Sequence, residues 1–316
     1  MESCIVLMST YNGESYLKEQ IDSILAQADV DVSLIVRDDN SSDRTVDILQ
    51  RYEKYPRFKW YVGENLGCAK SFMELLYNAP KSDFYAFSDQ DDIWYPNKLS
   101  RAISWLQQRD ASIPILYCGN QNCVDKDGNH MYQRLYEKDE QRLCLKTLIF
   151  DNPFSGCTMV FNYQLYQKII HLPKDNTIIL KRMHDILVIY VAVIYGEVLF
   201  DIEPMMDYRR HENNLTDASV DQRIGVFEKG VRKKFFNKVK KLFMAERYGI
   251  RRESAQTVLT LFADDLTLDD EKMVRTLAEY RNGWRQMLVL LNDRDLLRHC
   301  DNCRLITYFK VFIGWL

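Results

Sequence analysis

The chain has 316 residues, of which 47% are hydrophobic, 12% aromatic and 28% charged. These proportions are typical of a folded globular protein and exclude a disordered, collagen-like or low-complexity chain. The net charge is −3, so the whole molecule has no general attraction for nucleic acid, and we expect no nucleic-acid partner.

The N-terminus has no feature of a secretory leader. Residues 1–8 carry no basic region, and their apolar run ends in the polar residues 9–13. The longest apolar stretch, 186–195, is about half the roughly 20 residues that a membrane span needs. We therefore expect a cytoplasmic protein, soluble or peripheral, whose eight scattered cysteines stay reduced.

Strand-like and helical patterns alternate in the first part of the chain. Short apolar or β-branched runs occupy residues 3–8, 33–37, 58–62 and 84–88. Between them, apolar residues recur every three or four positions, as in helices. This alternation predicts an α/β fold with a mostly parallel sheet flanked by helices. The loops that follow the four strands should therefore meet at one edge of the sheet, where ligands bind: 10–13, 38–43, 65–67 and 89–92.

The pattern becomes less regular after residue 115. We predict a strand at 115–119, a short strand pair at 154–162, a buried helix at 186–195 and a strand at 197–202. From about residue 215 the strand pattern stops, and a long helical pattern covers 271–291. We predict a catalytic domain of residues 1–216 followed by a helical C-terminal region of residues 217–316.

Two acidic loops stand out. Asp89, Asp91 and Asp92 directly follow a strand-like run, and such close like charges suggest a divalent cation that holds a diphosphate. The alternative is a solvated acidic turn that caps the next helix. The second loop, 37–45, also follows a strand, and there the capping interpretation competes more strongly.

Four motifs occur in a characteristic order: Ser9-Thr10-Tyr11-Asn12, Asp38-Asp39-Asn40-Ser41-Ser42-Asp43-Arg44-Thr45, Glu64-Asn65-Leu66-Gly67 and Asp89-Gln90-Asp91-Asp92-Ile93-Trp94. In this order and spacing they resemble the inverting glycosyltransferase family 2, which has the GT-A fold, over residues 3 to about 215. The Asp-Gln-Asp-Asp-Ile-Trp variant, with Tyr208-Arg209-Arg210-His211 and Asn214 downstream, most resembles the bacterial branch that builds O-antigen, capsule and cell-wall rhamnan. That branch includes rhamnosyltransferases.

The resemblance implies roles for individual residues. It assigns nucleotide binding to Thr10, Tyr11, Asn12, Asp38, Asp39, Gly67, Asp89 and Arg210. It implies Mg²⁺ or Mn²⁺ between the two phosphates, with Asp91 and His211 as ligands, and oxygen donors suit these hard cations. It assigns Asp92, Trp94, Gly156 and His184 to the donor and acceptor pocket.

The reaction also needs a base, because the attacking sugar hydroxyl must lose its proton. The family places an acidic residue at the start of a helix after the acceptor loop. The matching residue is Asp185, which follows Ser155-Gly156-Cys157 and precedes the apolar run. A helix cap is the alternative, and both roles are compatible because a helix N-terminus favours the ionised carboxylate. A single placed carboxylate implies direct displacement with inversion.

We therefore expect transfer of one sugar, by resemblance from dTDP-rhamnose, to a polyprenyl-diphosphate-linked glycan in cell-surface polysaccharide synthesis. A Gln-x-x-Arg-Trp motif, typical of processive synthases, does not occur. The alternatives are a transferase of glucose, galactose or N-acetylhexosamine from UDP, and a non-catalytic sugar-nucleotide scaffold. A nucleotidyltransferase is disfavoured because no Gly-rich phosphate loop lies near the N-terminus.

The C-terminal region contains a basic segment, residues 227–252. Between residues 229 and 252 it has ten basic residues against one acidic residue, beside an apolar aromatic stripe. This composition predicts a helix drawn to anionic lipid of the inner leaflet, which would make the protein peripheral on the bacterial plasma membrane. Packing of the stripe on the catalytic domain is an equal alternative. The closing segment, 305–316, could bury itself, pair with another subunit or enter a membrane.

Overall fold

The computed structural model describes residues 1–134, 143–150, 152–173, 184–212, 214, 250–293 and 296. The basic segment up to residue 249 and the closing segment 305–316 lie outside the described residues, so their lipid contact stays a prediction. None of the helices in the described part of the chain has both the length and the apolar character needed to cross a membrane.

The chain divides into two compact units. The first contains Met1–Leu143 and Pro153–Asp217, and the second contains Cys144–Asn152 and Ala218–Leu316. The segment Cys144–Asn152 is thus grouped with the C-terminal unit, although it precedes Pro153 in the chain. A catalytic domain of residues 1–216 remains a proposal.

The described strands of the first unit form one sheet in the order β3-β2-β1-β4-β8-β6-β9-β5, and β7 pairs with β6. The strands are β1 (Ser3–Thr10), β2 (Asp31–Asp38), β3 (Phe58–Val62), β4 (Phe84–Ser88), β5 (Ile93–Trp94), β6 (Ile115–Val124), β7 (His130–Gln133), β8 (Met159–Asn162) and β9 (Glu197–Arg209). Strands β1 to β4 are parallel to one another, and β6 is parallel to β9. By contrast, β8 is antiparallel to β4 and β6, and β5 is antiparallel to β9.

Helices flank the strands of the first unit. They are α1 (Leu17–Leu25), α2 (Thr45–Gln50), α3 (Cys68–Asn78), α4 (Lys98–Leu106), α6 (Tyr163–Ile170) and α7 (His184–Tyr195). Leu17 and Ile21 of α1 pack in one core with Val6, Met8 and Leu34 of the sheet. The α/β fold class predicted from the alternating pattern is confirmed.

The second unit contains described helices only: α5 (Leu145–Phe150), α8 (Ile250–Phe262), α9 (Leu268–Glu279) and α10 (Trp284–Asn292). The long helix predicted over 271–291 is wrong, because α9 ends at Glu279 and a 3₁₀ turn, Tyr280–Asn282, leads to Gly283 before α10. Glycine disfavours a continuous helix there.

Two strand predictions in the first unit also need correction. The strand pair predicted at 154–162 is a 3₁₀ turn, Gly156–Thr158, followed by the single strand β8. The strand predicted at 197–202 continues to Arg209, because β9 pairs with β6 along its length and with β5 near its end.

The strand register aligns the loops of the predicted site. Thr10, the last residue of β1, is the register partner of Asp38, which in turn pairs with Val62 at the end of β3. On the other side of β1, Met8 pairs with Ser88, the last residue of β4. The carboxyl ends of these four parallel strands therefore lie at one edge of the sheet.

Candidate active site

The loops after β1 and β2 are joined by hydrogen bonds at this edge. The N–H of Asp39 donates to the carbonyl of Thr10 at 2.8 Å. The N–H of Asn12 donates to Ser41 Oγ at 2.8 Å, and Asn12 Oδ1 accepts from the N–H of Ser42 at 2.9 Å. Asn12 has φ +49°, a conformation that asparagine tolerates better than most residues. Thr10 and Asn12 therefore help to shape the first loop.

Gln90 connects the acidic loop after β4 to the loop after β1. Its Oε1 accepts from Thr10 Oγ1 at 2.5 Å and from the N–H of Tyr11 at 2.9 Å, and its Nε2 donates to the carbonyl of Tyr11 at 3.1 Å. A Cβ at Gly13 would lie 2.4 Å from Gln90 Oε1, so a larger residue there would displace the Gln90 side chain. The side chain of Tyr11 is 48% exposed and free to cover a ligand ring. Sequence reasoning gave Gln90 no role, although it lies inside the acidic motif.

Asp38 is fully buried at the end of β2. Its Oδ2 accepts from the N–H of Ser41 at 2.9 Å, and its Oδ1 accepts from Ser41 Oγ at 2.5 Å. These bonds hold the loop after β2 in a tight turn. Contact between Asp38 and a nucleotide base stays a prediction.

Asp39 holds the loop that precedes α3. Its carboxylate accepts from the N–H groups of Leu66 and Gly67 at 2.9 and 2.8 Å and from Ser71 Oγ at 2.7 Å, and it pairs with the buried guanidinium of Arg37. Burial opposes ionisation of Asp39, but these hydrogen bonds outweigh it and lower the pKa of the carboxyl. Gly67 has φ +78°, where a Cβ would be strained. In this structure Asp39 and Gly67 fix the third predicted loop.

In the acidic loop, Asp92 is fully buried and Asp89 is partly buried. Burial, followed by the charges of Asp91 and Asp185, raises the pKa of Asp89 to about 7. Burial and the neighbouring carboxylates also raise the pKa of Asp92 well above its ordinary value. Oδ1 of Asp92 accepts from the N–H of Arg209 at 3.3 Å, whereas its buried Oδ2 has no hydrogen-bond partner among the described residues.

Asp91 and His211 meet at the same edge, as predicted. His211 Nε2 lies 2.7 Å from Asp91 Oδ2, and Asn214 Nδ2 donates to the same oxygen at 3.4 Å. The His211 ring stacks on Tyr16 with 5.0 Å between ring centroids. The loop after β9 therefore covers the acidic loop after β4, although the two lie more than a hundred residues apart.

Arg209 is the arginine that organises this contact. It is buried at the end of β9 and donates to the carbonyl of Asp91 at 3.1 Å, to the carbonyl of Lys126 at 3.0 Å and to Glu19 at 2.6 Å. The predicted phosphate ligand was Arg210, whose guanidinium instead lies 5.9 Å from the centroid of the Tyr208 ring. Phosphate binding by Arg210 stays a prediction, and sequence reasoning missed Arg209.

The acidic loop fits a divalent cation. Asp89, Asp92 and Cys157 bring one ligand atom each to within 4.8 Å of one another. The Oδ2 of Asp92 is buried and has no hydrogen-bond partner among the described residues, and the pKa of Asp89 is raised by burial first and then by the neighbouring carboxylates. Carboxylate oxygens and an imidazole such as that of His211 are suitable ligands for Mn²⁺, and the carboxylates suit Mg²⁺. The donor set therefore matches the predicted Mg²⁺ or Mn²⁺.

Asp185 lies in the first turn of α7. Burial raises the pKa of this carboxyl to about 6, while hydrogen bonds from the backbone N–H groups of Ile186 and Gly156 oppose the rise. The bond from Ile186 measures 2.7 Å. A carboxyl with this pKa is ionised at neutral pH and still basic enough to accept a proton.

His184 and Trp94, which we expected in the donor and acceptor pocket, are core residues. His184 is 3% exposed and lies between Phe72 and Phe87, with centroid distances of 4.0 and 4.7 Å. Burial lowers the pKa of His184 to about 3, so the ring is neutral. Trp94 is 2% exposed. Both side chains support the site from behind and have little surface with which to contact a sugar.

The charges of several carboxylates act on the start of α3. After burial, the charges of Asp89, Asp185, Asp39 and Asp91 all raise the pKa of the Cys68 thiol, at the start of α3. The acidic loop, the loop after β2 and the start of α7 therefore converge near the start of α3. This arrangement can hold a cation and a phosphorylated ligand opposite a single base.

Comparison with known proteins agrees with this geometry. The sequence model of Glycosyl transferase family 2 matches residues 5–169. The dTDP-rhamnosyl transferase RfbG of Shigella flexneri is 31% identical over 252 residues, which cover 73% of this chain and 81% of RfbG. An uncharacterised glycosyltransferase of Rickettsia typhi is 28% identical over 221 residues, with 69% of this chain and 67% of the relative covered.

The fold also matches a solved structure. TarS of S. aureus (residues 1–349, in complex with UDP-GlcNAc) aligns with a TM-score of 0.58 at 17% identity, covering 95% of this chain and 82% of that structure. This likeness shows that the chain has the GT-A fold of nucleotide-sugar transferases. The protein is therefore a glycosyltransferase and belongs to glycosyl transferase family 2.

Proposed function

We propose that this glycosyltransferase moves a single sugar, with inversion and with the help of a divalent metal, from a nucleoside diphosphate sugar to a lipid-linked glycan. The proposed donor is dTDP-rhamnose, and the proposed setting is cell-surface polysaccharide synthesis at the cytoplasmic face of the bacterial plasma membrane. The observation that carries the proposal is that the charges of Asp91 and Asp185 both act on Asp89, which directly follows β4 at the sheet edge, and raise its pKa.

Asp185 is the proposed general base. Its carboxyl has its pKa raised to about 6 by burial, so at neutral pH it is charged and accepts the proton of the attacking hydroxyl. Among the described residues, this is the carboxylate that lies at a helix N-terminus opposite the acidic loop. With Asp185 as the single proposed base, the activated hydroxyl attacks opposite the departing diphosphate in one displacement, which inverts the anomeric centre.

Asp89, Asp91, Asp92 and His211 are the proposed holders of Mg²⁺ or Mn²⁺. When bound, the cation supplies Lewis-acid stabilisation of the departing diphosphate. The protein's own part is to keep these ligands in place: Arg209 fixes the backbone of Asp91, and Tyr16 supports the ring of His211. Tyr11, which is half exposed, is the proposed cover for the nucleotide base.

The donor assignment is supported by the similarity to the Shigella flexneri dTDP-rhamnosyl transferase. The test is a panel of dTDP-rhamnose, UDP-glucose, UDP-galactose and UDP-N-acetylglucosamine with the purified protein and Mn²⁺, read by thermal shift and by release of nucleoside diphosphate. We expect dTDP-rhamnose to stabilise the protein most and to be hydrolysed slowly. A stronger response to a UDP sugar would replace the proposed donor.

A matched pair of variants tests the site in the same assay. Asp91→Asn should abolish the metal-dependent part of donor binding, because it removes a proposed ligand charge. Asp47→Asn makes the same chemical change at an exposed position on α2 and should behave as wild type. Equal donor binding by the two variants would contradict the metal assignment.

A further inference from the structure

Lys98 is a buried cation that the proposed chemistry does not use. It is the first residue of α4 and is 2% exposed. Its Nζ lies 3.6 Å from the centroid of the Trp94 ring and 3.4 Å from Met206 Sδ, and it donates a hydrogen bond to the carbonyl oxygen of Cys157. Because a buried ammonium is unfavourable unless it is paired, a specific reason for this lysine is expected.

The carbonyl that Lys98 holds lies in the middle of the 3₁₀ turn Gly156–Thr158. Within that turn, the N–H and Oγ1 of Thr158 donate to the carbonyl of Ser155 at 3.0 and 2.8 Å. Further bonds hold the ends of the turn: the N–H of Met159 donates to the carbonyl of Gly156, and Arg134 donates to Ser155 Oγ. Lys98 supplies the donor to the carbonyl in the middle of the turn. Lys98 therefore fixes the turn from the core side.

The same turn contacts Asp185 on its other side. The N–H of Gly156 donates to the Asp185 carboxylate, and a Cβ built on Gly156 would lie 3.4 Å from Asp185 Cβ. The turn also packs against His184, because that Cβ would lie 2.7 Å from His184 Nε2. A displacement of the turn would move the hydrogen-bond donor of the base and the first residue of α7 together.

We propose that Lys98 is a positioning residue for the reaction: its ammonium holds the Cys157 carbonyl, and the turn fixed in this way orients the Asp185 carboxylate. The inference rests on the proposed function, because it takes Asp185 as the general base. It differs from a purely structural role, in which Lys98 would contribute to stability and leave the reaction of the folded enzyme unchanged.

The experiment compares Lys98→Met, Lys98→Arg and Lys168→Met in the full chain. Methionine keeps an unbranched chain of similar length but removes the donor and the charge, whereas arginine keeps both. Lys168 is the control, because it is exposed on α6 and also contacts an aromatic ring, that of Tyr195, at 4.2 Å. Hydrogen–deuterium exchange of the peptide that covers residues 154–160 is measured first, since it requires no substrate.

We expect faster exchange of the turn amides in Lys98→Met, with protection recovered in Lys98→Arg and unchanged in Lys168→Met. With dTDP-rhamnose as donor, kcat of Lys98→Met should fall about 100-fold at unchanged donor KM, as expected when reacting groups are slightly misplaced. Lys98→Arg should recover most of kcat.

A folded Lys98→Met protein with wild-type exchange at the turn, or with loosened exchange but unchanged kcat, would overturn the inference. If Lys98→Met does not fold, Lys98→Gln takes its place in both measurements with the same expectations. A wild-type protein that transfers no sugar from any donor of the panel would count against the proposed function, whereas the exchange result would still decide whether Lys98 holds the turn.

Discussion

The buried carboxylates of the site differ in how the protein balances their charge. Asp39 receives hydrogen bonds from Leu66, Gly67, Ser71 and Arg37, and its pKa is lowered. Asp89 and Asp185 have fewer donors than their burial requires, and their pKa values are raised to about 7 and about 6. The first kind of carboxylate stabilises a loop, and the second kind is available for a cation or a proton.

If Asp185 is the general base, as proposed, the pH dependence of the reaction should follow its ionisation. The base must be ionised, so kcat/KM should rise with pH up to about 6 and then level off, because burial raises the pKa of this carboxyl to about 6. Asp185→Asn should lower kcat by about 10²- to 10⁴-fold, the usual contribution of a general base. A pH series of initial rates measures both effects.

Donor affinity provides the control for Asp185→Asn, since an intact fold and nucleotide site should leave it at the wild-type value. An Asp185→Asn enzyme with wild-type kcat, or one that kept the rise in rate below pH 6, would remove Asp185 from the mechanism.

For Asp39 we predict an effect on stability, because this carboxylate holds a loop. Asp39→Asn removes the buried carboxylate that pairs with the Arg37 guanidinium, 1% exposed, but Arg37 keeps its ion pair with Glu74 at 2.9 Å. The loss of stability should therefore stay below about 3–5 kcal/mol, the cost of an uncompensated buried charge. Urea denaturation should show this loss of unfolding free energy. The matched change at an exposed pair, Lys18→Met beside Asp22, should have no measurable effect. Equal midpoints for the two variants would argue against Asp39 as the residue that fixes the loop.

The resemblance placed Asp91 and His211 in one site, and the two side chains are in contact, whereas their role as metal ligands stays a prediction. The contacts of Arg209 and Arg210 could not be predicted from the sequence. Residues 208–211 suggest a loop, but β9 continues to Arg209, and successive side chains of a strand point to opposite faces. Arg209 therefore points into the core beneath Asp91, a consequence of pairing with β6 that local sequence does not reveal.

At the scale of elements, the contact between the Gly156–Thr158 turn and α7 is sterically tight. Gly156→Ala should place a methyl group 2.7 Å from His184 Nε2, and such overpacking costs about 1–3 kcal/mol of stability. The effect should extend to kcat, because His184 directly precedes Asp185. The measurements are thermal unfolding and the initial rate.

A double-mutant cycle isolates this contact. His184→Ala removes the ring that the new methyl group would strike, so the double variant should be more stable than the sum of the two single effects predicts. Strictly additive effects would mean that the added methyl group does not clash with the His184 ring.

The limits of element prediction have a common physical cause. The alternating pattern located the first four strands and α7, because hydrophobic periodicity is a local property. The full length of β9 and the antiparallel insertion of β8 depend on pairing with β6, β4 and β5, which lie far away in sequence. Similarly, nothing in the local pattern of α5 shows that it is grouped with the C-terminal unit.

At the scale of the whole molecule, the sheet register joins loops that are distant in sequence into one acidic edge. This convergence could be anticipated, because parallel strands in an α/β sheet share the edge at which ligands bind. The sequence could not predict the raised pKa values of the carboxyl groups at that edge. These pKa values depend on how far the fold removes Asp89 and Asp92 from water. The loop after β9 also contacts the acidic loop, through His211 and Asp91.

The raised pKa of Asp89 predicts how the stability of the protein responds to pH and to metal together. Burial raises the folded-state pKa of Asp89 to about 7 from a model-compound value of 3.8, so its contribution to stability is fully present below about pH 4 and is lost as pH rises through 7. If the acidic loop binds Mn²⁺ as proposed, the cation should offset that loss and compete with protons for the same oxygens. The increase in Tm on adding Mn²⁺ should therefore be small at pH 5 and large at pH 8. Asp89→Asn should flatten this dependence, and an equal Mn²⁺ response at both pH values in the wild type would contradict cation binding by the acidic loop.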